Sequence, residues 1–272
     1  MVKLKKYLKM ERLLKRKMSV SGSFYPDKKE DILSSFEYFN DLISNQFEDK
    51  LFKKNQKALI VPHAGYKYSG FSANLAYRNV TQTPRRVVVI GPSHSVAFSG
   101  VSLKEYSFYE TPLGNIKADS DYMSFLKSKF EFVSIEHEEH STEVQFPFIK
   151  HYFEEAEMVE IVYGHKSDLD NIVEEVLNSE DTLLLISTDL SHFNEQKKAN
   201  ELDNNCIKGI ETLDIELLQR GEACGMQGVV SLLRVCKKIG LHVKSVDYRT
   251  SGDITGDMDS VVGYYSAIVG KL

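Results

Sequence analysis

The chain of 272 residues has only three cysteines, Cys206, Cys224 and Cys236. An odd number without dense spacing argues against a disulfide framework and predicts a reducing compartment, with the cytoplasm as the default. Also missing is any apolar run approaching the roughly 20 residues needed to span a bilayer, so no transmembrane segment is expected. There is no GxGxxG or Walker sequence, which gives nucleotide binding little support. There is no GxSxG elbow, no internal repeat and no low-complexity segment. Basic surface is scarce too. Residues 1–17 carry eight Lys/Arg and one acid, leaving 26 basic against 38 acidic residues elsewhere, a balance of −12. An acidic body argues against nucleic-acid binding, which needs a basic face for phosphates.

What remains is an ordinary globular composition, 42% hydrophobic and 27% charged, in a length that suits one α/β domain with long loops. The basic segment 1–17 places Leu4, Tyr7, Leu8 and Leu14 at helical spacing. It reads as a disordered tail, or as an extension upstream of a true start at Met18, in preference to a membrane-surface or partner-binding arm. Residues 18–272 are expected to form the domain.

Three short apolar runs organise that domain. Ala58–Val61 runs into Pro62-His63-Ala64-Gly65-Tyr66, Val87–Ile90 into Gly91-Pro92-Ser93-His94, and Leu183–Ile186 into Ser187-Thr188-Asp189-Leu190-Ser191-His192. Uninterrupted β-branched and leucine runs bounded by Gly and Pro predict strands buried on both faces, as in a parallel sheet under helices. Chemistry collects at the carboxyl ends of such strands. One histidine after a strand is commonly a satisfied loop residue; three on matching strand ends point to a shared site. The sequence does not fix whether those strands are neighbours.

Helices are predicted near 120–128, 168–178, 195–209 and 226–239, the last stopped by Gly240. The Gly65–Gly70 stretch reads as a loop, with a helix starting at Ser69 or Ser72. Final strands are expected over 242–247 and 261–269. Cys206 and Cys236 fall on apolar helix stripes and read as core. Cys224 precedes the 226–239 helix, where the positive end of the macrodipole would favour a thiolate. The run Glu136–Glu143 is dense in ligating side chains, although His137, Glu138 and Glu139 individually read as solvated loop residues.

Taken with Gly22-Ser23-Phe24-Tyr25-Pro26, Tyr109-Glu110-Thr111-Pro112-Leu113, Glu139-His140-Ser141 and Cys224-Gly225, these motifs make the chain resemble the Memo family from Ser19 to about Val269. That family is structurally related to the protocatechuate 4,5-type non-haem iron extradiol dioxygenases. The resemblance implies a single α/β domain with a central, largely parallel sheet flanked by helices. It implies His63, His94 and Cys224 as metal ligands, for iron or copper with zinc as a further candidate, and a pocket lined by His140, Asp189 and His192. The related dioxygenases complete a two-histidine site with a glutamate, and Glu222, two residues before Cys224, is the residue considered for that place.

The leading expectation is a metal-dependent redox protein. Asp189 would orient a histidine, and His192 or His140 would serve as acid/base or bind substrate. The alternative is a non-catalytic module that binds a small-molecule, peptide or protein partner in a vestigial dioxygenase-like pocket. A hydrolase built on Ser187 or Ser191 with His192 and Asp189 ranks last, because near-adjacent residues on one strand end rarely align a hydroxyl, an imidazole and a carboxylate.

Overall fold

The structure is a computed structural model that describes residues 14–44 and 56–271. The proposed helix of Leu4, Tyr7 and Leu8 lies outside the described residues. Along the chain come β1 (Lys15–Arg16), α1 (Lys29–Ser44), β2 (Gln56–Val61), α2 (Tyr66–Arg78) and β3 (Arg86–Pro92). Three two-residue strands follow, β4 (Val101–Ser102), β5 (Phe108–Tyr109) and β6 (Ile116–Lys117). Next are α3 (Ser120–Lys129), α4 (His140–Glu143), α5 (Phe146–Tyr152), β7 (Glu157–Tyr163), α6 (Asp170–Asn178), β8 (Thr182–Ser187) and β9 (His192–Asn194). The chain closes with α7 (Gln196–Thr212), α8 (Ile215–Leu218), α9 (Met226–Ile239), β10 (His242–Thr250), α10 (Ser251–Thr255) and β11 (Val261–Gly270).

The main sheet has the order β10-β11-β2-β8-β3-β7-β4, with β9 paired to β11. Its four central strands, β2, β8, β3 and β7, are parallel. The outer pairs β10–β11, β11–β2 and β4–β7 are antiparallel. Every residue of β3 and β8 is buried, as expected of strands covered on both sides by helices. The outcome matches the expected α/β fold with a largely parallel sheet.

The strand order is the finding that matters for function. Because β8 lies between β2 and β3, the three runs that end in histidine motifs are neighbours and all point the same way. Adjacent strands are spaced about 4.8 Å apart, so their carboxyl ends deliver His63, the Ser187–His192 segment and His94 to one short stretch of the sheet edge.

Three differences from expectation have physical causes. β7 is a central strand with no fully apolar run to announce it, since Glu160 interrupts the pattern; that carboxyl is buried and placed against Arg16 and Thr142. Helix α2 begins at Tyr66, not at Ser69 or Ser72, with Gly65 as its N-cap and no side-chain cap. Tyr66 is buried among Tyr25, Phe36 and Phe148, so packing and not capping sets this start. Finally, the expected boundary after Lys17 cuts through the body. β1 pairs in parallel with β5, and Arg16 is 2% exposed.

Candidate functional site

Pro62 and His63 leave β2 at its carboxyl end, and the His63 side chain is buried. Its Nδ1 lies 3.0 Å from Ser187 Oγ. The Ser187 hydroxyl spends its one proton on the Ser141 carbonyl at 2.5 Å and accepts a further bond from Gln145 Nε2 at 3.1 Å. Only an acceptor role is left toward His63, so Nδ1 carries the imidazole proton and Nε2 presents a lone pair. That Nε2 lies 3.2 Å from Cys224 Sγ. Burial, reinforced by the neighbouring His94 and His140, holds the His63 pKa well below the ordinary histidine value and keeps the ring neutral.

His94 follows β3, and its support is a carboxylate. Glu139 is fully buried, and its Oε1 accepts from His94 Nδ1 at 3.1 Å and from the Ser141 N–H at 3.2 Å, with His140 Nδ1 close beside it at 3.2 Å without a hydrogen-bond geometry. Its Oε2 accepts from the backbone N–H groups of His94 at 2.7 Å and Ser95 at 3.1 Å, and from Ser95 Oγ at 3.1 Å. Burial alone would push this carboxyl up. The hydrogen bonds from His94 and Ser141 and the His94 charge outweigh it and hold Glu139 well below the usual carboxylate range. The reading of Glu139 and His137 as solvated loop residues is therefore corrected. Both are buried, with His137 packed on Phe98 at 5.3 Å, and only Glu138 is exposed. The sequence signal for Glu139 was its place directly before His140, as N-cap of α4.

Cys224 enters from the loop before α9. Its N–H donates to the Asp189 carbonyl at 3.2 Å, the Asp189 N–H points at its Sγ at 3.2 Å, and the Gly225 N–H donates to Thr188 Oγ1 at 2.9 Å. A Cβ on Gly225 would lie 2.5 Å from Thr188 Cβ and 2.9 Å from the Ser187 carbonyl oxygen, so only glycine lets this loop press on the end of β8. The expectation of a thiolate favoured by the helix is not met. Burial and the nearby Asp189 carboxyl push the thiol up to about 12, and they outweigh the macrodipole. Cys206 and Cys236 are buried, as their helix stripes predicted.

Donor atoms of His63, His94 and Cys224 all lie within 4.8 Å of one another, as do those of His94, Glu139 and His140. The His140 ring stands 4.6 Å from that of His94 and 5.5 Å from that of His63. Asp189 sits beneath them. Its Oδ1 accepts the backbone N–H of His63 at 2.8 Å, so it fixes the loop, whereas the imidazole is oriented by Ser187. Burial raises Asp189 to about 7. His192, its pKa lowered by burial, lines a cleft together with Cys224, Glu222 and Met226. Glu222 is exposed, accepts from Asn194 Nδ2 at 3.2 Å, and belongs to neither donor cluster among the described residues. A second cleft of about 390 Å³, lined by Ser93, Val96, Tyr163 and Lys166, opens onto His94 and Cys224. No helix among the described residues is long and apolar enough to cross a membrane.

Comparison with known proteins agrees with this arrangement of motifs. The family described as Memo-like protein matches residues 16–268. A MEMO1 family protein of Methanobrevibacter smithii is 33% identical over 278 residues, covering 93% of this chain and 99% of the relative. One from Aquifex aeolicus is 34% identical over 271 residues, covering 93% and 98%, and one from Nitrosopumilus maritimus is 31% identical over 270 residues, covering 92% and 97%. With a match over nearly its whole length and relatives aligned end to end, the chain belongs to the Memo-like protein family.

Proposed function

We propose that this protein is a metal-dependent redox protein whose ion is held by His63, His94 and Cys224. The observation that carries the reading is the unprotonated Nε2 of His63, fixed by Ser187 and facing Cys224 Sγ at 3.2 Å, with a His94 nitrogen in the same cluster. Two imidazoles and one sulfur form a soft donor set that suits Cu(I) and Zn(II) and accepts iron less selectively. A bound copper or iron ion would supply one-electron chemistry and an open position for a substrate. Glu139 does not act as a third ligand in this reading, because five hydrogen-bond donors already occupy its two oxygens. It is an orienting carboxylate, which departs from the two-histidine, one-carboxylate pattern of the extradiol enzymes.

The protein's own groups then divide the remaining work. His140, with Nδ1 beside Glu139 at 3.2 Å, serves a proton on bound substrate, and His192 serves the cleft that it lines with Cys224. The cleft of about 390 Å³ has room for a small molecule and places Lys166 at its exposed rim.

The test is elemental analysis after anaerobic purification, followed by metal titration of Cys224→Ser. Wild-type protein is expected to hold one ion per chain. The variant should lose Cu(I) affinity far more than Mn(II) affinity, since softness selects copper. Equal losses for the two ions would contradict a sulfur ligand. The second reading, a binding module, is favoured by the openness of both clefts to solvent; failure to consume O₂ in the copper- or iron-loaded state, with retained peptide binding, would favour it.

A further inference from the structure

The segment from Lys15 to Tyr25 supplies no donor atom, yet it meets the site from behind. Arg16, 2% exposed, donates from one guanidinium nitrogen to the Glu139 carbonyl at 3.2 Å and from another to Glu143 Oε2 at 3.1 Å. These two acceptors stand at opposite ends of α4, the single turn that carries His140. Glu143 is fully buried and accepts from the N–H groups of Ser19 and Val20 at 2.8 and 2.9 Å and from Tyr25 Oη at 2.8 Å. The Phe24 ring then lies 4.8 Å from that of His140.

We infer that Arg16 is a positioning residue for His94 and His140, acting through the Glu139–Glu143 turn. By fixing the backbone of Glu139 and the carboxylate of Glu143 together, the guanidinium sets where the Glu139 carboxylate meets both imidazoles. An arginine is required. Its planar fork carries separate donors in fixed directions, whereas a lysine offers one point charge that cannot hold both ends of the turn. The wider charge pattern agrees: Arg16 is kept protonated by Glu160 and Glu143 in spite of its burial. The basic segment thus does more than extend the chain, since its sixteenth residue governs the geometry of site histidines 78 and 124 positions away.

The control is Arg86, whose guanidinium also makes a largely buried pair, with Asp119 at 2.6 Å, but at the amino end of β3, opposite His94. In metal-free full-length protein, ¹⁵N-histidine NMR of the wild type should show His94 protonated at Nδ1. Arg16→Lys should convert it to mixed tautomers and, on titration with Co(II), weaken binding roughly 10- to 100-fold, the range for residues that orient a ligand. Arg86→Met should lower the melting temperature while leaving both readings unchanged. Unaltered tautomers in Arg16→Lys, or equal disturbance in Arg86→Met, would overturn the inference. Should Arg16→Lys not fold, Ser19→Ala removes one hydroxyl from the same Glu143 carboxylate and must shift the tautomers in the same direction. Only the Co(II) readout rests on the ligand assignment above. A wild type that binds no Co(II), with tautomers still dependent on Arg16, would remove that assignment and leave the positioning role standing.

Discussion

His63 and His94 stand with ring centroids 5.3 Å apart, yet they are held by opposite chemistry. The His63 imidazole is held through neutral groups, the Ser187 hydroxyl and behind it the Gln145 amide and the Ser141 carbonyl, while Asp189 holds its backbone N–H. Behind His94 is the Glu139 carboxylate, with Arg16 behind its backbone. Each arrangement protonates Nδ1 and frees Nε2, so each prepares a donor. They differ in electronic push and in what is lost when they fail. A carboxylate partner raises the basicity of its imidazole, which a hydroxyl does not do to the same degree. A neutral network can be trimmed at the cost of one hydrogen bond, whereas removing a buried charge strands its partners.

The comparison predicts unequal losses. Glu139→Gln is expected to be the most damaging change, because an amide brings two donors to a carboxylate place surrounded by five donors. Stability should fall by about 3–5 kcal/mol, the cost of breaking a buried charged network, and metal affinity should fall at least 100-fold, at the upper end for an orienting partner. Denaturant melts and a competitive Cu(I) titration measure both. Ser187→Ala should cost about 1–3 kcal/mol and roughly tenfold in affinity, since one histidine loses its orienting partner and no charge is stranded. Equal effects in the two variants would erase the distinction between the two sides.

Acid sensitivity is the smaller and subtler difference. The Glu139 pKa is depressed in the folded state, so its stabilisation is complete above the unfolded carboxyl value of about 4.3 and is lost as pH falls from there through the folded value. His63 is also depressed, so the unfolded chain takes up its proton first, and stability is lost as pH falls below about 6.5. Asp189, raised to about 7, works in the opposite sense between about 4 and 7. It is present in both variants and cancels when each is compared with wild type. Urea melts from pH 2 to 7 should show Glu139→Gln without the limb below about 4.3 and Ser187→Ala with it intact.

Much of this was legible in the sequence for a simple reason. β2, β3 and β8 are buried on both faces, so their apolar runs are unbroken and their ends are marked by Pro, Ser and His. His63 and His94 were readable as candidates because each sits in a short motif at such an end, and Cys224 because it stands just before the clear helix α9. What stands behind them was not readable. Glu139 and Arg16 carry charges that are ordinarily solvated, and only three-dimensional closure shows that they are buried and paired. β7 escaped notice for the same reason, since Glu160 breaks its run while facing Arg16. The order β2-β8-β3, which makes neighbours of three distant segments, is a property of topology that no local pattern contains.

X-ray absorption of the zinc-loaded full chain tests the central claim most directly, because it reads the donor atoms without needing turnover. One sulfur at about 2.3 Å and nitrogens at about 2.0–2.1 Å are expected, with the sulfur contribution abolished by Cys224→Ser and retained in Cys206→Ser. A shell of nitrogen and oxygen alone in the wild type, unchanged by Cys224→Ser, would contradict it.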